Sequence, residues 1–466
     1  LELLLDGHEM AKSGRGQAFS IIAEAGIGKS RLLYEFRKKI ANENLTILEG
    51  KCLSFARNVA YLPVIDILKA NFGIEQNDTE KEAKGKVTQG IQTLKADETS
   101  ILAHLLELLS VKNDGDDLLN LTPEQKKTGI FEAVRQIIIK RSEQRPLILI
   151  FEDLHWIDQS SEELLQQILN SVPGIRVLVV FTYRPEYLHT WGGKSYHNQV
   201  NLNRLTNRES VLMLHHLLGS QETDKELDEL ILNKTEGIPF YIEELVKSLK
   251  ELKIIQERNN RYCLLENEQV STIPSSIQDV IMARVDTLPE NARGVLQIGS
   301  AIEREFSYLM LKEVTELPEQ DLLSNLSILK DTELIYERGI FPDSIYIFKH
   351  AFTKDVVYGS LLEMKKQELH NKIGQVIETN NENRLDEFFE ILAYHYNQAD
   401  NPEKAIRFFK FSGEKALNSY SNAEAVSFFQ GALNILKKKS ETRENKVAQI
   451  EILLLMKQSL TYLGYT

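Results

Sequence analysis

Over the first 205 residues, short apolar runs alternate with amphipathic stretches, the pattern of helices packed on a parallel sheet. Residues 18–23 (AFSIIA) form a short apolar run, followed by an amphipathic stretch at 31–40 and a second strand at 45–51. Residues 147–151 (LILIF) and 177–182 (VLVVFT) are continuously apolar, as strands buried on both faces are. Between them Ser160 and Ser161, followed by Glu162 and Glu163, open a helix that runs to Asn170. Residues from about 75 to 117 break the alternation. They predict polar helices around an apolar patch at 101–109, inserted into the layer. The alternation resumes at Thr122-Pro123, where Gln125 completes a capping box.

After Leu205 the strand pattern largely disappears. Residues 209–253 read as helical, interrupted at Gly237-Ile238-Pro239. A third unit begins at Ile273-Pro274 and runs to about Ile377, and the chain is helical again from Leu385. There PEKAIRFF at 402–409 is echoed by AEAVSFF at 423–429, with Ala405 and Ala425 equivalent, as in stacked helical hairpins. The predicted organisation is therefore 1–205, an α/β domain with the insertion at about 75–117; 206–270, a helical segment; 271–378, a third domain; and 379–466, helical repeats.

The chain has 466 residues and a net charge of −13, which argues against non-specific binding to nucleic acid or to an anionic membrane. Its two cysteines, Cys52 and Cys263, are too few for a disulfide framework or a cysteine-based zinc site, so a reducing, cytoplasmic setting is expected. No apolar run approaches the ~20 residues of a membrane helix. The sequence starts at Leu1 and stops at Thr466 within a helical pattern, as a piece of a longer protein would.

Candidate chemistry begins at Ala23-Glu24-Ala25-Gly26-Ile27-Gly28-Lys29-Ser30, between a strand and a helix. That is the context a Walker A loop requires. Small residues let successive backbone N–H groups close around phosphate oxygens, and the helix N-terminus adds further donors. Glu24, Ala25, Gly26, Ile27, Gly28, Lys29, Ser30 and Arg31 are the candidate nucleotide contacts. Lys29 supplies the cation for the β- and γ-phosphates, and Ser30 a hydroxyl ligand for Mg²⁺. The first glycine of the pattern is replaced by Ala23. If that position needs positive φ, the methyl costs on the order of 1 kcal/mol.

The strand at 147–151 ends in Glu152-Asp153, which would face the same crevice as the loop. One carboxylate can hold Mg²⁺ and the other orient an attacking water; register places Glu152 near the metal and Asp153 near the water. The next strand ends in Thr182-Tyr183-Arg184-Pro185. Arg184 there either senses the γ-phosphate and stabilises charge in transfer or is an exposed arginine before a proline turn.

EAGIGKSRLL, IFEDLHWID, TYRPEY and EGIPFYIEEL resemble the STAND-class signalling ATPases, a branch of the AAA-related P-loop proteins. YLPVIDILK, WGGKSYHNQVNLNRL, ILKDTELIYERG and FKHAFTKDVVYGSLL extend the likeness to the ATPase region of bacterial class III adenylate/guanylate cyclase fusion proteins. The resemblance implies an α/β P-loop NTPase domain, then a helical lid, a winged-helix domain and tetratricopeptide-like repeats. It implies ATP/ADP and Mg²⁺ as cofactors, with Lys29, Glu152, Asp153 and Arg184 catalytic and Ser30 and Glu152 at the metal. Pro239 would pack on adenine and His350 would contact the ADP β-phosphate. The repeats would receive a protein or small-molecule signal, and a cyclase or other output domain would lie in the same full-length chain. No cyclase segment is visible, and neither nucleic acid nor membrane is an expected partner. The expected function is an ATP-binding signalling switch with slow hydrolysis. The alternatives are a nucleotide-stabilised scaffold without turnover and the ATPase core of a LuxR-type transcription regulator.

Overall fold

The structure, a computed structural model, describes residues 1–75, 78–112, 121–191, 193–220, 222–258, 261–265 and 276–464. It divides into two compact units, one of residues 1–23, 30–201 and 380–466, the other of residues 24–29 and 202–379.

The first unit is built on a five-stranded sheet of β1 (Gln17–Ile22), β2 (Thr46–Lys51), β3 (Leu147–Glu152), β4 (Val177–Tyr183) and β5 (His197–Asn201). The order is β2-β3-β4-β1-β5 and every pairing is parallel. β3 and β4 are central and buried almost throughout, which is why their sequences carry no polar alternation. β5 (HNQVN) is a largely exposed edge strand, too polar for the hydrophobic pattern to reveal. The sheet and its flanking helices form an α/β P-loop NTPase fold. Because the strands are parallel, the ends of β1, β3 and β4 that carry the candidate chemistry share one edge.

The described part of the insertion comprises two helices, Glu80–Leu94 and Glu98–Leu108. Val87, Ile91, Leu94, Ile101, Leu105 and Leu106 join Ile130, Val134 and Ile137 of the helix Pro123–Gln144 in one core. The capping box at the start of that helix forms as expected: the Gln125 N–H donates to Thr122 Oγ1 at 3.3 Å, and the Thr122 N–H to Gln125 Oε1 at 2.8 Å.

The same unit holds the helices Phe389–Gln398, Pro402–Asn418, Asn422–Leu436 and Arg443–Tyr462. Ala405 and Ala425, equivalent in the sequence echo, are both fully buried. The two helices approach closely because small residues face large ones. A Cβ on Gly413 would lie 2.4 Å from the Phe429 ring, and one on Gly431 would lie 2.9 Å from the Phe409 ring.

In the second unit the helices Asn207–Leu218, Lys225–Thr235 and Pro239–Glu251 replace the single interrupted helical stretch expected. A small sheet accompanies them, in the order β6 (Glu222–Thr223), β8 (Arg261–Leu264), β7 (Ile255–Arg258). These strands are short and mostly exposed, so hydrophobic periodicity had little to mark. The expected domain start at Ile273-Pro274 lies outside the described residues. Beyond it, four helices between Ile277 and Asp331 and the helix Ala351–Gly359 surround an antiparallel sheet. That sheet is ordered β10 (Ile335–Arg338), β11 (Ile345–Phe348), β9 (Glu305–Ser307), the arrangement of a winged helix. Among the described residues no helix is long and apolar enough to cross a membrane.

Candidate nucleotide site

β1 ends at Ile22 and a helix begins at Lys29 (Lys29–Ile40), so residues 23–28 form a tight strand-to-helix loop. Its left-handed backbone falls on Gly26 (φ 82°) and Gly28 (φ 114°). Ala23 is not among the residues of positive φ. It is buried, and its N–H donates to the Tyr183 carbonyl at 3.2 Å, extending the β1–β4 pairing. The methyl at the first position of the Walker pattern therefore packs as part of the strand end and imposes no left-handed strain. Lys29 Nζ donates to the Glu24 carbonyl at 3.1 Å. Glu24 and Ala25 are exposed, Ile27 is buried, and Gly28 has open space where a Cβ would stand. Ser30 is exposed, and Arg31 points along its own helix to Glu35 at 2.7 Å.

Two residues outside the motif hold this loop. Arg204 bridges Glu24 (2.9 Å) and Glu236 (2.6 Å). Phe240 donates its backbone N–H to the Gly26 carbonyl at 3.2 Å, and a Cβ on Gly26 would stand 3.1 Å from Ile238 and 3.2 Å from Phe240. Neither Arg204 nor Phe240 was singled out in the sequence, although each lies inside a segment that carries the family resemblance. Pro239 occupies the first turn of its helix and is half-buried, with Ile238 at the N-cap.

Gly237 makes the turn into that helix possible. Its φ is +73°, and an added Cβ would lie 2.2 Å from the Leu205 carbonyl oxygen, while the Leu205 N–H donates to the Gly237 carbonyl at 2.8 Å. Left-handed strain and the backbone clash act together, so Gly237→Ala is expected to destabilise the second unit by about 2 kcal/mol or more. Urea denaturation of the variant checks this, and an unchanged midpoint would show that the turn relaxes freely.

His350 stands at the N-cap of the helix Ala351–Gly359, its ring 4.2 Å from that of Phe240. Phe240 thus touches both the phosphate loop and His350. Burial pushes the imidazole down to about 4, so it is neutral at pH 7, and its buried Nε2 has no hydrogen-bond partner among the described residues. Around it lies an ion-pair network. Lys247 and Lys349 each reach Glu243 at 2.9 Å, and Lys349 reaches Glu333 at 2.8 Å. Burial opposes the charge on Glu243, but hydrogen bonds from Lys247 and Lys349 outweigh it and hold its pKa at about 2. Glu243, Glu244 and His350 come close enough to share an ion, yet Lys247, Lys349 and Arg284 already neutralise the carboxylates. This is a salt-bridge network rather than a metal centre.

At the end of β3, Glu152 is ion-paired with Arg37 at 3.0 Å, and Arg37 also holds Glu49 at 2.6 Å. Asp153 adopts a left-handed backbone (φ 59°) held by its N–H donating to Thr182 Oγ1 at 3.0 Å. Its carboxylate, like the guanidinium of half-buried Arg184, makes no hydrogen bond or ion pair among the described residues. The structure therefore separates the acidic pair into one engaged and one available group, a distinction their adjacency in sequence conceals.

The loop geometry, the strand order and the acidic strand end agree with the comparison to known families. Residues 1–180 match the AAA ATPase domain. That AAA ATPase domain implies nucleotide binding, typically with Mg²⁺. Residues 206–262 match a domain of unknown function. An uncharacterized protein of Rhizobium meliloti (strain 1021) is 22% identical over 449 residues, covering 92% of this chain and 41% of its own length. A Signal Transduction ATPase with Numerous Domains (STAND) protein with a tetratricopeptide repeat sensor, from Pyrococcus horikoshii, is similar at 13% identity and a TM-score of 0.47, over 99% of this chain and 61% of that one. A Walker-type ATPase of Pyrococcus abyssi is similar at 13% identity and a TM-score of 0.32, over 76% of this chain and 95% of that one. The chain spans less than two thirds of the Rhizobium protein and of the Pyrococcus horikoshii structure.

Proposed function

We propose that this chain is the regulatory ATPase module of a larger signalling protein, an ATP/ADP switch with slow hydrolysis. The observation that carries the reading is the phosphate loop, with left-handed Gly26 and Gly28 directly ahead of a helix that starts at Lys29. Backbone N–H groups of 25–30 would wrap the phosphates, with Lys29 on the β- and γ-oxygens. The exposed Ser30 hydroxyl and the acidic pair Glu152 and Asp153 are hard oxygen donors of the kind Mg²⁺ takes, and the ion would neutralise phosphate charge there. In this reading Ser30 and Glu152 hold the metal, Asp153 orients the attacking water and Arg184 stabilises charge in transfer.

Pro239 would lie against adenine, and neutral His350, its ring tilted at 46° against that of Phe240, would contact the β-phosphate of ADP. ADP would hold the resting state, and exchange for ATP, driven by a protein or small molecule on the repeats, would release it. The output would be a cyclase or other domain in the same full-length chain. Identifying the nucleotide released from denatured purified protein tests the reading directly: ADP or ATP is expected, and protein that neither carries nor binds nucleotide refutes it.

A nucleotide-stabilised scaffold is the second reading, favoured by the engagement of Glu152 with Arg37. Asp153→Asn decides between the two. Steady phosphate release that falls by about a hundredfold in the variant supports the switch; release no faster in wild type than in the variant supports the scaffold.

A further inference from the structure

The helix Gln159–Ser171 begins six residues after Asp153, and two carboxylates crown its N-terminus. One is its own N-cap: Asp158 Oδ1 accepts from the Ser161 N–H at 2.7 Å. The other comes from the helical repeats. Glu424, in the first turn of the helix Asn422–Leu436, accepts from the Ser160 N–H at 3.0 Å and from Ser160 Oγ at 2.9 Å. Asp158 is only 4% exposed and Glu424 3%. Asp158 Oδ1 also accepts from the Tyr61 N–H at 3.2 Å, holding that buried residue in a left-handed conformation (φ 62°). Three distant stretches of chain, around residues 61, 160 and 424, thus meet on one helix end.

We propose that Asp158 and Glu424 form a two-carboxylate clasp that docks the repeats onto the segment following Glu152-Asp153 and positions that acidic pair. The physical case is one of obligation. Ser160 and Ser161 present helix-end N–H groups in a buried place, and each must be paired. The repeats supply one of the two acceptors, so displacement of the helix Asn422–Leu436 strips the Ser160 N–H and hydroxyl of their partner at a point seven and eight residues from the acidic pair. Movement of the repeats and the geometry at Asp153 are coupled through that helix end.

The titratable groups facing Asp158 are Glu424, Tyr61 and the buried thiol of Cys52 beyond β2, and among the described residues no cation pairs with either carboxylate. Burial first, and then the charge of Glu424, push Asp158 up to about 7. An aspartate in the unfolded chain titrates at about 3.9, and undocking removes the neighbouring Glu424 charge and lets water in, which moves Asp158 toward that value. The docked form therefore binds the proton more tightly; the clasp is strongest at low pH and loosens as pH rises through about 7.

The test is amide hydrogen exchange on the full chain, corrected for intrinsic rates. Protection of the Ser160 and Ser161 amides is expected to fall about tenfold from pH 6 to pH 8. Asp158→Asn, which keeps the acceptor oxygen, should abolish that pH dependence. Glu424→Ala should lower protection of both the Ser160 amide and the helix Asn422–Leu436 by about tenfold or more at either pH, while Glu424→Gln retains most of it. A wild type without pH dependence, an Asp158→Asn variant that keeps it, or a Glu424→Ala variant with full protection would each overturn the clasp.

A kinetic arm rests on the ATP turnover proposed above: Glu424→Ala should lower kcat by about tenfold with KM for ATP within about twofold, because the hydrogen bonds it removes are to Ser160 and not to the residues proposed to hold the nucleotide. Unchanged kcat with lost protection would leave the docking clasp and overturn its positioning role. The exchange arm stands even in a protein that does not turn over, so failure of the clasp and failure of the ATPase reading are separable.

Discussion

Lys29→Ala is expected to weaken ATP and ADP binding by about a hundredfold while the fold is retained. Lys29 begins the helix after β1, and its ammonium folds back on the Glu24 carbonyl at the mouth of the loop. A charge-assisted contact to phosphate contributes about 1.5–3 kcal/mol, and Lys29 would make such contacts to both terminal phosphates. Alanine favours helix, so the element itself should persist, and the circular dichroism of the variant should match that of the parent. Calorimetric titration with ADP and ATP measures the loss. Affinity unchanged in the variant would show that the glycine loop binds something other than a nucleotide phosphate. The same titration on Ser30→Ala should lose chiefly the Mg²⁺-dependent part of the affinity, since in the proposed reading that hydroxyl would be the loop's ligand to the metal.

The largest stability effect is expected at Arg284. Its guanidinium and the Glu244 carboxylate form an ion pair with side-chain exposures of only 4% and 2%. Arg284 also donates to the Thr332 carbonyl and, at 3.3 Å, to Glu251. Such a pair adds little over well-packed apolar residues, but breaking it strands a charge where water cannot reach. Arg284→Met should therefore cost about 3–5 kcal/mol in urea denaturation of the second unit. Burial already pushes the Glu244 carboxyl up, against the pull of Arg284 and Lys247. Without Arg284 the residue should fold in its protonated form, so the deficit should shrink as pH falls from 7 toward 5. The double variant Arg284→Met/Glu244→Met should recover most of the loss. A single variant within about 1 kcal/mol of the parent would mean that water reaches Glu244 after all.

The two experiments probe elements that differ in how legible they were. The phosphate loop is local: eight consecutive residues between a strand and a helix, whose function follows from backbone geometry that glycine and helix N-termini dictate. The central strands were equally plain, because burial on both faces demands unbroken apolar runs such as LILIF and VLVVFT. Even the concern raised by Ala23 was settled locally, since the left-handed positions fall on Gly26 and Gly28 and Ala23 continues the strand pairing. What escaped was polar or short. β5 and the strands β6 to β8 lie at exposed places where hydrophobic patterning carries no signal.

The chain by itself determined the α/β layer, the phosphate loop, the acidic strand end and the helical character of residues 385–464, because each depends on neighbours within a few positions. Tertiary structure alone decided which polar groups are engaged. It set Arg37 on Glu152 and left Asp153 available, placed Phe240 against both Gly26 and His350, and buried Glu424 on Ser160 across 264 residues of sequence. The physical reason is the range of the forces. Periodicity records whether a position faces solvent or core, whereas the worth of a charge or a hydrogen bond depends on the partner and dielectric it meets, and only folding supplies those.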